Sequence, residues 1–291
     1  FALKGALLPL HLWLPNTYAS AMPVVAALFA IMTKVGIYSM MRFYTLIFGE
    51  HAGELSHVAQ NWLWWLALIT IVMGSIGVLA SKSLSKLTAN LVIVSVGTLV
   101  VLISVQTVGS SAAAIYYLVH STLVTAALFL IADIIGRQRG HVFDRIEAGP
   151  PMLQPKLLGV CFLIAGISVI GMPPLSGFIA KVWLLKETVN VDYSEIFWTI
   201  YLLASLAVLV AVTKAGSTVF WNHSNTQKDI KAESVKPKLV TPMQLVAIII
   251  LISSAPLMSI FAGSLSEYSQ SAATQLHDFN HNVNVILSGG K

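Results

Sequence analysis

The chain contains 291 residues, of which 56% are hydrophobic and only 10% are charged, and its formal net charge is +5. This composition is far more apolar than that of a soluble domain, so a soluble globular protein is excluded. The apolar runs are long and continuous, which also excludes the short alternating strands of a membrane β-barrel. The predicted fold class is an all-α membrane protein, a polytopic helical bundle.

The sequence offers little to hold a cofactor or a metal. Its single cysteine, Cys161, excludes an intramolecular disulfide, a multi-cysteine zinc site and an iron–sulfur cluster held by this chain alone. It contains no glycine-rich dinucleotide loop and no phosphate loop. His277 and His281 are four residues apart, but one such pair is weak evidence for a metal site, and we interpret it as part of a solvated tail. We therefore expect no cofactor, no bound metal and no catalytic residue.

Apolar runs of about the 20 residues that a membrane-crossing helix needs predict eight spans. They lie at approximately 1–20, 23–46, 62–80, 87–106, 112–135, 157–187, 196–221 and 241–264. The chain opens with Phe1, already inside an apolar segment and without a charged leader. We therefore expect it to be the C-terminal portion of a longer protein.

Two of the eight spans contain proline breaks. The span 157–187 is too long for one straight helix, and its centre, 171–177, reads GMPPLSG; the first span contains Pro9 and Pro15. Proline removes a backbone donor and clashes with the preceding turn, so both spans are predicted to be broken helices. Two broken helices five spans apart resemble corresponding elements of an inverted repeat, which many transporters use to build a midplane site.

Three lysines lie within or beside these spans. Lys34 is near the middle of the second span, Lys181 follows the break in the sixth, and Lys4 precedes the break in the first. An ionisable side chain at membrane depth is costly, and it usually faces the bundle interior or a water path. These lysines are predicted to translocate protons, and for Lys34 the alternative is a structural ion pair. Lys214, near the end of its span, is expected to reach the interface instead.

Histidines and hydroxyls accompany the lysines. His120 lies inside the fifth span, and imidazole can both accept and donate a proton, which suits a shuttle between lysines. His11 lies within the first break and has the same interpretation. A histidine that only packs helices remains the alternative for both. Hydroxyl side chains follow one face of the fourth span, where they either pack helices or line a water path: Ser85, Thr88, Ser95 and Thr98.

Lysine and arginine are concentrated in the loops 81–86, 136–156 and 222–240. The positive-inside rule places these loops in the cytoplasm and the C-terminal tail outside the cell. We therefore predict a multi-pass protein of a bacterial cell (inner) membrane. Residues 1–264 are expected to form an N-terminally truncated, proton-translocating transmembrane domain, and residues 265–291 an extracytoplasmic tail.

At this point two motifs carry a resemblance. The segment 1–15, FALKGALLPLHLWLP, followed by KVGIY at 34–38, resembles the paired lysine spans of the antiporter-like subunits. These subunits are shared by respiratory complex I and the multisubunit Mrp (Mnh, Pha) cation/proton antiporters. The segment 173–181, PPLSGFIAK, is similar to that family's broken helix with its terminal lysine. Within the family, the stretch from His120 to Arg139 is most similar to the D subunit of the Mrp type.

The resemblance covers nearly the whole chain. It implies a subunit of a monovalent cation (Na⁺ or K⁺)/proton antiporter, working with other membrane subunits and with a proton path Lys4–Lys34–His120–Lys181. It also implies that a glutamate outside this chain pairs with Lys4. The sequence departs from many relatives at Thr125, where a lysine often stands.

Two other functions stay open at this stage. A proton-pumping subunit of complex I or of a membrane-bound hydrogenase would use the same lysines, with energy from electron transfer in partner chains. A scaffold that transports nothing is the third possibility, although it has no evident use for buried charges.

Overall fold

The computed structural model describes residues 1–56, 58–222 and 239–279, and within these ranges it consists of helices and loops without a β-strand. The helices are α1 (Ala2–Gly5), α2 (Trp13–Ser20), α3 (Pro23–Ile47), α4 (Gln60–Ala80), α5 (Leu84–Val105), α6 (Val108–Arg139), α7 (Pro155–Ile170), α8 (Ser176–Glu187), α9 (Ser194–Trp221), α10 (Pro242–Ile260) and α11 (Ala262–His277). The predicted all-α class is confirmed.

Six helices of the described ranges are long and apolar enough to cross a membrane: α3, α4, α5, α6, α9 and α10. The predicted first and sixth spans are each divided into two short helices, α1 with α2 and α7 with α8. Both predicted helix breaks are therefore present.

Capping residues explain why the helix ends differ from the predicted bounds. Helix α6 begins at Val108, ahead of the apolar run that starts at Ala112, because Thr107 and Ser110 form a capping box with two reciprocal 3.1 Å bonds. Helix α5 likewise begins early, since the Ser83 side chain accepts a hydrogen bond from the amide of Lys86. Apolar periodicity marks where a helix enters the core, whereas caps mark where it starts.

Helices α5 and α6 form the centre of the bundle. Every residue of α5 from Leu87 to Val105 is buried, because α3, α4, α6 and α9 pack around it. Helix α6 contacts α3, α5, α7, α8, α10 and α11. Polar side chains on these two helices are therefore surrounded by protein.

A loop fastens the ends of α5 and α6 together. The buried Arg139 donates to the carbonyl oxygen of Arg145 at 2.6 Å, and it also bonds that of Glu147. The carboxylate of Asp144 accepts from the amide of Ser85 at 2.8 Å, at the N-terminus of α5, where a negative charge is favourable. The predicted cytoplasmic loops 81–86 and 136–156 are therefore in contact.

The two breaks have the same backbone geometry at their first half. The C-cap residues that follow α1 and α7 are Ala6 and Gly171, and both have positive φ, 57° and 79°. The next amide then reaches back five residues, from Leu7 to Ala2 at 3.0 Å and from Met172 to Ile167 at 3.1 Å. A proline follows three residues after each cap. This shared geometry agrees with the predicted inverted repeat.

Helix α11 contains the first part of the predicted tail and packs against α6 and α3. Residues 280–291 of that tail and most of the basic loop 222–240 lie outside the described residues. The domain boundary at residue 264 and the side of the membrane that carries the tail stay predictions.

Candidate functional site

Lys34 lies about halfway along α3 and is only 1% exposed. Its ammonium donates a hydrogen bond to the hydroxyl oxygen of Ser95 on α5. The Ser95 hydroxyl in turn donates to the carbonyl oxygen of Val92 at 2.7 Å. Among the described residues no carboxylate forms an ion pair with Lys34. The alternative prediction, a structural ion pair for Lys34, is therefore not found within the described chain.

His120 connects the two halves of the second broken helix. Its Nδ1 lies 2.8 Å from the hydroxyl of Ser176, in the first turn of α8. The same imidazole also lies close to the carbonyl group of Ser168, near the end of α7. Gly177 makes this approach possible, because a Cβ there would overlap the carbonyl oxygen of Ser168 and lie 3.0 Å from His120 Nε2.

Lys181 is partly buried, and its side chain turns back toward the break. Its Nζ donates to the carbonyl oxygen of Ile170 at 2.6 Å and to the hydroxyl of Ser205, on α9, at 2.8 Å. The same atom lies 5.6 Å from the centre of the Tyr201 ring, within cation–π distance. Gly171 provides the space for the lysine methylenes, since a Cβ there would lie 2.6 Å from Lys181 Cδ.

One cavity of about 30 Å³ joins these groups. Its polar lining includes Ser95, Tyr117, His120, Thr125, Lys181 and Ser205. A cavity of this size, with several polar groups in a mostly apolar lining, has room for roughly two water molecules. Since Ser95 bonds Lys34 on one side and lines the cavity on the other, Lys34, His120 and Lys181 belong to one connected polar region.

Thr125 contributes a neutral hydroxyl to the lining of this cavity. It is buried, and its hydroxyl donates to the carbonyl oxygen of Ser121 at 2.6 Å. The hydroxyl proton is thus committed to the helix backbone, and the oxygen lone pairs remain available toward the cavity. Among the described residues that line the cavity, the two with a basic nitrogen are His120 and Lys181.

Lys4 and His11 are not brought into this region. Lys4 lies on an exposed face and makes no hydrogen bond or ion pair to any described residue. Its stem passes close to α3, where a Cβ on Gly36 would lie 3.3 Å from Lys4 Cβ. His11 is 8% exposed, and its Nδ1 has no hydrogen-bond partner within the described ranges.

Sequence reasoning missed three polar residues of the site. Ser176 and Ser205 contact His120 and Lys181, and Tyr201 lies beneath the lysine. Tyr201 and Ser205 are four residues apart and thus share one face of α9, which is a usable sequence signal. That signal is weak, because polar residues at this spacing commonly only pack helices.

The chain matches a known membrane-protein family over most of its length. Residues 1–211 match the family described as "NADH:quinone oxidoreductase/Mrp antiporter, TM". A relative from Rhizobium meliloti, named as the D subunit of a probable K⁺/H⁺ antiporter, is 32% identical over 95% of this chain and 55% of its own length. A relative from Alkalihalophilus pseudofirmus, named as the D subunit of a Na⁺/H⁺ antiporter, is 34% identical over 96% of this chain and 54% of its own length.

Two solved structures share the fold. A chain of the Mrp complex from Dietzia sp. matches 98% of this chain and 59% of its own length, with a TM-score of 0.80 and 21% identity. A chain of respiratory complex I from Thermus thermophilus matches 94% of this chain and 56% of its own length, with a TM-score of 0.71 and 23% identity. The chain thus spans about half the length of the curated relatives it matches.

Proposed function

Since the chain belongs to the NADH:quinone oxidoreductase/Mrp antiporter transmembrane family, we propose that it acts within the D subunit of a multisubunit cation/proton antiporter. Two of its relatives carry the names of K⁺/H⁺ and Na⁺/H⁺ antiporter D subunits. The proposed activity is exchange of protons for Na⁺ or K⁺, with the other antiporter subunits as partners. The chain would act as a secondary transporter and would not catalyse a chemical reaction.

The proposed proton path runs from Lys4 to Lys34, His120 and Lys181. The observation that carries it is the chain of contacts from Lys34 through Ser95 and the cavity to His120 and Lys181. A hydroxyl can accept a proton on one lone pair while it donates its own. Ser95 can therefore pass protons between basic groups, together with cavity water, when its hydroxyl turns from the Val92 carbonyl. His120 can do the same, because its two ring nitrogens face different neighbours.

The other end of the path is Lys4. Its exposed position supports an exchange of protons with a group outside the described chain, and the family resemblance suggests a glutamate for this role. His11, buried beside the same break with an unpaired Nδ1, would be an additional proton-accepting group. In this proposal Lys4 and His11 receive or deliver the protons that Lys34 passes on.

The proposed location is a bacterial cell membrane, with the C-terminal tail outside. The charge asymmetry of the loops supports this orientation. The contact between loops 81–86 and 136–156 also supports it, because two loops that touch share one side of a membrane.

A second candidate is a proton-pumping subunit of a redox complex. The shared fold with a chain of respiratory complex I favours it, but at 23% identity that likeness concerns the fold alone. Purification of the native assembly separates the two candidates. Small antiporter subunits in the purified complex would support the antiporter, and quinone-reductase or hydrogenase subunits would support the redox pump.

The decisive experiment on the path is Lys34→Ala in the complete complex. Because a positioned proton-transfer group typically accelerates transfer by about 10²–10⁴-fold, cation-induced collapse of a proton gradient in inverted vesicles should fall at least about tenfold. Lys214→Ala is the matched control, because Lys214 also lies on a membrane helix but is exposed. Normal exchange by a fully assembled Lys34→Ala complex would remove Lys34 from the path.

A further inference from the structure

Two consecutive prolines leave two carbonyl groups at the end of α7 without their helical donors. In a continuous helix the carbonyl oxygens of Val169 and Ile170 would accept from the amides four residues later. Those positions are Pro173 and Pro174, which have no N–H. A carbonyl oxygen in the protein interior needs another hydrogen-bond donor or a cation as its partner. This end of α7 is therefore an acceptor site.

The Lys181 ammonium now occupies part of this acceptor site. Its hydrogen bonds within the described chain go to the carbonyl oxygen of Ile170 and the hydroxyl of Ser205. Val169 and Tyr201 line the adjoining cavity. The Tyr201 hydroxyl is buried and has no hydrogen-bond partner among the described residues. One backbone carbonyl and one hydroxyl therefore bond the positive charge, beside a cavity that Val169 and Tyr201 line.

Neutral oxygen atoms of this kind are the ligands that alkali cations take. Membrane proteins bind Na⁺ and K⁺ with backbone carbonyls, and often with those at the C-terminal end of an interrupted helix, where the helix dipole is negative. An ammonium and an alkali cation carry the same charge and use the same oxygen atoms. The two cannot occupy these ligands together, because like charges at contact distance repel each other.

We propose that the end of α7 and the facing turn of α9 form a binding site for a partly dehydrated monovalent cation, Na⁺ or K⁺. The Lys181 ammonium and the cation exclude each other there. Either occupant leaves the site with one positive charge, so loss of the lysine proton permits cation entry and cation departure permits reprotonation. This inference rests on the proposed antiport function and assigns its cation to a specific place.

The surroundings agree with a site for a single charge. The titratable groups that face it are His120 and Tyr117 on α6 and Tyr201 on α9, and within the described residues no carboxylate lines the cavity. Without a carboxylate, the site has no fixed negative charge to hold an ammonium and a cation at once. The cavity of about 30 Å³ provides space for the cation to keep a water ligand.

The first test measures binding, which does not depend on transport. Equilibrium binding of ²²Na⁺, and of ⁸⁶Rb⁺ as a probe for K⁺, is measured on the purified complete complex. Lys181→Ala removes the competitor, so the affinity for at least one cation should rise on the order of tenfold. Lys214→Ala should bind as the wild type does. Unchanged or weaker binding by an assembled Lys181→Ala complex would overturn the site.

The second test removes a ligand and keeps the lysine. Ser205→Ala should raise the apparent KM for the cation by about 3–10-fold, the loss expected from one oxygen ligand, with a maximal rate within about twofold. Ser205→Thr should restore the KM. Ser217→Ala is the control, since Ser217 lies on the same helix and, among the described residues, bonds only the Lys214 carbonyl. A lower maximal rate with an unchanged KM would show that Ser205 only positions Lys181, and would reject the site.

The two proposals fail differently. If wild-type vesicles show no cation-induced proton movement, the proposed antiport function is wrong whatever the binding data show. If wild-type exchange is normal and both variants behave as wild type, the antiport function stands and the cation site is wrong.

Discussion

The two broken helices share a backbone turn but differ in what surrounds them. Around the α7–α8 break, the lysine ammonium bonds two oxygens, and the histidine bonds Ser176 on α8 and lies close to Ser168 on α7. Around the α1–α2 break, Lys4 is exposed and His11 keeps an unpaired ring nitrogen within the described chain. The same turn therefore forms a closed polar site only where α6 and α9 supply partners.

The lysines also lie on opposite half-helices. Lys4 precedes its break, on α1, whereas Lys181 follows its break, on α8. The number of missing donors differs as well. Pro173 and Pro174 remove two, whereas at the first break only Pro9 removes one, and the amide of Leu8 donates to the Thr70 hydroxyl at 3.1 Å. The breaks are related in backbone but present different acceptors, so an inverted repeat does not require equal chemistry.

The largest expected effect comes from adding a methyl group inside the second break. Gly177→Ala places a Cβ against the Ser168 carbonyl and 3.0 Å from His120 Nε2. Because the first of these contacts is with a backbone oxygen, the movement of a flexible side chain cannot relieve it. We expect a stability loss of about 1–3 kcal/mol and a transport loss of about tenfold or more, since overpacking displaces both half-helices. Thermal unfolding of the purified complex and vesicle exchange measure the two effects.

Gly263→Ala is the control for this variant, because nothing lies within 4 Å of a Cβ at that position. Equal behaviour of the two alanine variants would mean that the close approach of His120 to the break is not needed.

A smaller effect is expected from cutting the link between Lys34 and the second break. Ser95→Ala removes the hydroxyl that bonds Lys34 and lines the cavity, so exchange should fall by about tenfold if proton transfer passes through it. Ser104→Ala removes a buried hydroxyl on the same helix that makes the same 2.7 Å bond to its own backbone. Matching losses in these two variants would assign the effect to helix packing.

The smallest effect is expected at Tyr201. Tyr201→Phe deletes a hydroxyl with no partner in the described chain, so the stability of the complex should be unchanged or rise by up to about 1 kcal/mol. Exchange should fall by about threefold, since one oxygen of the cavity is lost. Tyr116→Phe is the comparison. It should lower the stability of the complex and leave exchange unchanged, because the Tyr116 hydroxyl donates to the Met258 carbonyl at 3.0 Å. Full activity of Tyr201→Phe would mean that the Tyr201 hydroxyl is not part of the site and that the serine hydroxyls are the side-chain oxygens it needs.

The local features of the fold were readable from the sequence. The broken helices follow from prolines inside apolar runs, and the buried position of Lys34 follows from its depth in a long apolar segment. These predictions succeed because proline geometry and burial of charge act within one segment. The relay roles of Lys4, Lys34, His120, Lys181 and His11 stay predictions.

The partners of these residues were not readable. Ser95 is 61 residues from Lys34, and Ser176 is 56 residues from His120. Such pairs depend on which helix faces meet, and nearly uniform apolar helices such as α5 carry almost no facial pattern to reveal this. The same limit applies to Ser205, whose contact with Lys181 depends on how α9 packs beside α8.

The bond between Lys34 and Ser95 has a consequence for how the protein enters the membrane. During synthesis α3 emerges well before α5, and an unpartnered lysine at the centre of a membrane helix costs about 2.5–3.5 kcal/mol on insertion. The hydroxyl that relieves this cost arrives only after another 61 residues have been made. Helix α3 is therefore expected to remain beside the insertion machinery until α4 and α5 follow, so that the three helices enter the lipid as one unit.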